Sequence, residues 1–78
     1  MVEEGHIAVD ASVMLGKPVI SGTRVTVQSV VERVAAGETV SHIVESHPAL
    51  TEESVRFALR YAARVLNLDE AFPREHSL

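Results

Sequence analysis

Hydrophobic positions change period near residue 26, and that change divides the chain. Before it, His6-Ile7-Ala8-Val9-Asp10 alternates weakly and is rich in β-branched residues, the pattern of a short strand. Val13-Met14-Leu15 follows, and Gly16-Lys17-Pro18 marks a turn. Val19-Ile20 is a two-residue apolar stub, Ser21-Gly22-Thr23 a second turn, and Arg24-Val25 is extended again. Pro18 lacks a backbone N–H, so any strand from Val19 onward starts there or lies at a sheet edge. Strands this short do not hold together alone in water; they need helices or another chain to pack on.

After residue 26, Val27, Val30, Val31 and Val34 fall at i, i+3, i+4 and i+7, one face of a helix. Thr26 supplies an N-cap and Gly37 a stop, which predicts a helix over 27–36. Thr39 caps a shorter helix over 40–46, with Val40, Ile43 and Val44 inward, and Pro48 ends it. Thr51 caps a third helix over 52–66, whose positive N-terminal end suits Glu52 and Glu53. The expected fold is mainly α: three helices behind a short N-terminal β-hairpin or extended arm, the last two in helix-turn-helix proportion. Residues 1–78 read as one domain: strands and turns over 5–25, a three-helix unit over 26–66 and an irregular tail over 67–78.

The third helix has more than one apolar face. Val55, Ala58, Leu59, Ala62 and Leu66 suit the other helices, while Phe57, Tyr61 and Val65 form a second stripe at i, i+4 and i+8. Two covers are available for that stripe: a second chain, or the tail folding back through Leu68 and Phe72. Size favours the second chain. A chain of 78 residues has a small core, often contributing no more than ~3–5 kcal/mol, and without cysteine it has no disulfide or thiolate metal site. The expected state is a homodimer. Its interface residues are expected among Val19, Ile20, Phe57, Tyr61, Val65, Phe72 and Arg74.

Charge narrows the functional classes. Seven basic residues against eleven acidic ones leave a net charge of -4, unsuited to coating nucleic acid by bulk charge. Arg56, Arg60 and Arg64 nonetheless recur every four residues on the third helix. Either Glu52 pairs with Arg56 and Arg64 suits the helix C-terminus, or the stripe contacts phosphates with Arg24 beside it. His6, His42, His47 and His76 show no metal-binding spacing, no serine lies in a nucleophile elbow, and the glycines form no phosphate loop. No enzyme, metal or cofactor is expected. The acidic start and the lack of a long apolar run point to a cytoplasmic protein with no membrane partner.

The run Gly16-Lys17-Pro18-Val19-Ile20-Ser21-Gly22-Thr23-Arg24, completed by Val25-Thr26-Val27, resembles the signature of the family called domain of unknown function 433. The likeness continues through Gly37-Glu38-Thr39-Val40, Ile43, His47-Pro48-Ala49-Leu50-Thr51, Val55 and Tyr61-Ala62, covering about residues 5–63. His47 and His42 depart from the usual aromatic and acidic residues at their positions. The resemblance implies a homeodomain-like helix-turn-helix domain serving as the VapB-like antitoxin of a type II toxin–antitoxin pair. Its implied partners are a PIN-like nuclease toxin and operator DNA; the alternative is a dimeric protein-interaction module without DNA affinity. An arginine suits the carboxylate cluster of such a nuclease, and Arg74, beside Phe72 and Pro73, is one candidate for it. Read physically, Gly16 and Gly22 allow two tight turns, and Thr23 and Arg24 either brace the turn or meet a ligand.

Overall fold

A computed structural model describes residues 2–66. Three short strands open the chain: β1 (Val2–Glu4), β2 (Ile7–Val9) and β3 (Val19–Ile20). They form an antiparallel sheet in the order β1-β2-β3, with Glu4 opposite Ile7 and Ile7 opposite Ile20. The Gly5-His6 turn joins β1 to β2, and Gly5 adopts a φ of 57° that favours glycine there. A 3₁₀ turn, Met14–Gly16, interrupts the longer connection to β3. After β3 the chain turns back at once, and Thr26 forms a bridge to Val19.

Three helices follow, α1 (Val27–Ala35), α2 (Val40–Ser46) and α3 (Glu52–Val65). Each begins where a threonine side chain accepts a backbone N–H: Thr26 from Ser29, Thr39 from His42, and Thr51 from Ser54. At α3 the hydroxyl of Ser54 also accepts the Thr51 N–H at 3.0 Å, closing a capping box. The expected mainly α architecture is therefore present, with a hairpin extended by a third strand.

The core lies between the inner face of the sheet and the three helices. Ile7, Ile20, Val27, Val30, Ile43, Leu50, Val55 and Ala58 form it. Alternation along the strands puts Ile7 and Ile20 on this face and their neighbours Ala8 and Val19 on the other. Ala8 and Val19 are also buried, at 5% and 3% exposure. Val34, expected inward, is 37% exposed, because it lies in the last turn of α1 where the chain leaves the core for Gly37.

Candidate functional site

The turns on either side of β3 are built mostly for their own geometry. Gly16 and Gly22 have φ of 82° and 79°, left-handed values that an L side chain resists. The Thr23 hydroxyl donates to the Ile20 carbonyl at 2.7 Å and accepts the Val25 N–H at 3.0 Å. The Val27 N–H donates to the Pro18 carbonyl at 2.9 Å, locking the loop to the start of α1. Thr23 is thus a brace. Arg24 is exposed and makes no salt bridge among the described residues. It lines a cavity of about 350 Å³ on the outer face of the sheet, with Glu3, Asp10 and Val13 around it and Ala8 and Val19 beneath. Backbone and hydroxyl hydrogen bonds from Ser12 hold the Asp10 carboxyl below its usual range. The rim therefore places a guanidinium near two carboxylates.

The arginines of α3 are largely engaged within the chain. Arg56 bonds Glu52 at 3.0 Å. Arg64 pairs with Glu4 of β1, and its guanidinium lies 5.5 Å from the centre of the Tyr61 ring. Arg60 lies 5.9 Å from the centre of the Phe57 ring, with no carboxylate partner among the described residues. Arg56, Arg60 and Arg64 share the exposed side of the helix, but Glu52 and Glu4 neutralise two of the three.

The expected interface residues part company. Val19 and Ile20, expected at an interface, are buried at 3% and 2% exposure and pack within their own chain. Their burial comes from β2 on one side and the bridge to Thr26, contacts that a two-residue stub does not announce. Phe57 is also covered from within. Its ring meets the His6 ring edge-on, centroids 5.2 Å apart, and lies directly over Gly5. A Cβ added at Gly5 would collide with the ring carbon Cζ. Gly5→Ala is expected to destabilise the fold by about 1–2 kcal/mol through the strained φ and the displaced ring, measurable by urea denaturation. Phe72 and Arg74 lie outside the described residues.

Tyr61 and Val65 do reach a surface site. With Val27, Val31, Ala62 and Leu66 they line an apolar groove of about 290 Å³ between α1 and α3. Pro18 also lines it, and Gln28 and Glu32 are its polar lining residues. Val65 and Leu66 are 54% and 61% exposed, an unusual display of large apolar side chains on so small a domain. The sequence signalled half of this groove through the Tyr61–Val65 stripe; the half supplied by Val31 was read as core.

The histidines sit apart. His6 lies 3.8 Å from Glu53, His42 is 3.1 Å from Glu38, and His47 has a buried Nε2 with no partner among the described residues. No group of three or more metal-ligating side chains occurs among the described residues. No helix among them is long and apolar enough to cross a membrane.

A braced loop, a small antiparallel sheet and three capped helices define a mainly α domain with its signature run at the sheet–helix junction. The chain belongs to the family described as protein of unknown function, DUF433, whose model matches residues 7–62. It is similar to the uncharacterized protein y4eO of Sinorhizobium fredii (strain NBRC 101917 / NGR234), with 47% identity over 47 residues. That match covers 60% of this chain and 21% of y4eO, so the chain spans about a fifth of the length of the curated relative it matches. No solved structure matches the chain.

Proposed function

We propose that this chain is the antitoxin of a type II toxin–antitoxin pair, a homodimeric, homeodomain-like helix-turn-helix protein acting in the cytoplasm. It binds and neutralises a PIN-like nuclease, and operator DNA is its second target. The observation that carries the emphasis on protein binding is the groove between α1 and α3. An apolar groove serves a protein surface, whereas DNA is held through phosphates and polar base edges. Arg24 adds an exposed guanidinium outside the helices, the group best suited to bidentate bonding with the carboxylates of a nuclease site. The nuclease itself is inferred from the family resemblance of the Gly16–Arg24 run. The test is whether the adjacent reading frame encodes a nuclease-like protein and, if it does, whether the two proteins associate when produced together. A complex of fixed stoichiometry that survives gel filtration supports the reading, and separate elution of the two proteins refutes it.

The neutralised arginines favour one alternative, an interaction module without DNA affinity. Salt dependence separates the two. If α3 contacts operator phosphates, neutralising Arg56 and Arg60 reduces the slope of log affinity against log salt by about one per lost contact. Unchanged affinity and slope make both arginines structural and leave the module reading in place.

A further inference from the structure

The apolar groove between α1 and α3 suits a protein surface, and the turn between β2 and β3 offers an occupant from a second copy of the chain. Met14, Leu15 and Gly16 have φ of 50°, 59° and 82°, three successive residues in the left-handed region. Glycine accepts this freely, but a methionine and a leucine there carry a steric penalty. Burial does not offset it, since Leu15 is 92% exposed and Met14 39%. The turn is nonetheless held in place. The Val13 N–H donates to the Asp10 carbonyl, Gly16 to Val13 and Lys17 to Met14, at 2.8, 3.0 and 3.1 Å. Strain kept by a defined hydrogen-bond frame, with an apolar side chain at its tip, is a feature of contact sites.

We infer that the dimer forms by reciprocal exchange: the Met14-Leu15 turn of one copy seats in the α1–α3 groove of the other. This inference rests on the homodimer proposed above and names its interface. Pro18 lines the groove and follows Leu15 by three residues, so knob and socket lie within about 10 Å of each other along the chain. The exposure of Leu15 means that it does not fill the groove of its own chain. Adjacent, complementary features on one surface are what a two-fold axis pairs, each contact being made twice. Charge agrees: Lys17 flanks the knob, Glu32 lines the groove, and neither forms an ion pair among the described residues. The exchange places each Lys17 near the Glu32 of the other copy.

Sedimentation equilibrium of the full chain at micromolar concentration tests this. The wild type is expected to dimerise. Leu15→Asn keeps a residue that tolerates left-handed backbone but removes the apolar tip; it should raise the dimer Kd at least about tenfold without loss of helical content by circular dichroism. Lys17→Glu should weaken the dimer about fivefold at low salt, and adding Glu32→Lys should restore it. A Leu15→Asn dimer as tight as wild type overturns the exchange while leaving the homodimer standing. Failure of the double charge swap to restore the affinity also overturns it. A wild type that stays monomeric overturns both readings and gives the groove to another occupant, the tail over 67–78 or the nuclease.

Discussion

Ile43→Ala is expected to destabilise the fold by about 2–5 kcal/mol, the range for removing a fully buried aliphatic side chain without local collapse. Ile43 is 0% exposed and is the α2 residue in the central core, where it joins α2 to Val30 of α1 and Val55 of α3. Domains have about 0.05–0.15 kcal/mol of stability per residue, so this loss would take a large part of the total for a chain this short. Urea denaturation should show a lower midpoint with little change in slope, and Ile43→Val should cost only about 0.5–1.5 kcal/mol. A loss below about 1 kcal/mol for Ile43→Ala would mean that α2 is not held by this contact.

Phe57→Ala is the second large effect, expected at about 2–3 kcal/mol, below the usual cost for a fully buried phenylalanine because the ring is only half-buried. The ring is the seat of the Gly5-His6 turn on α3, so its loss should detach the hairpin more than the helices. Hydrogen exchange provides the readout: amides of β1 and β2 should lose protection while those of α1 and α3 keep theirs. Uniform loss of protection would instead make the hairpin part of one cooperative unit with the helices. Tyr61 and Phe57 are a turn apart on the same stripe but have different roles, since Tyr61 borders the open groove.

That difference shows where the sequence is legible. The helices were readable because their signals are local: valines at helical spacing, and Thr26, Thr39 and Thr51 as caps. The existence of β1 was not readable, because Val2-Glu3-Glu4 becomes a strand only by pairing with Ile7–Val9. The cover over Phe57 is likewise non-local, coming from a glycine turn 52 positions away. The burial of Val19 and Ile20, through β2 and the bridge to Thr26, is non-local in the same way. The turn at Met14-Leu15 was hidden differently. Left-handed backbone is expected at glycine or asparagine, and here it falls on two residues that give no such sign. The arginine stripe was visible as spacing, but its neutralisation by Glu4 required the fold to bring β1 alongside α3.

The most direct test of the proposed antitoxin role is a coupled nuclease assay. The full chain is titrated into the purified product of the adjacent reading frame, if that frame encodes a PIN-like nuclease, and RNA cleavage is followed. Cleavage falling to background near one antitoxin chain per nuclease chain is the expected result. Undiminished cleavage with the chain in excess would contradict the role.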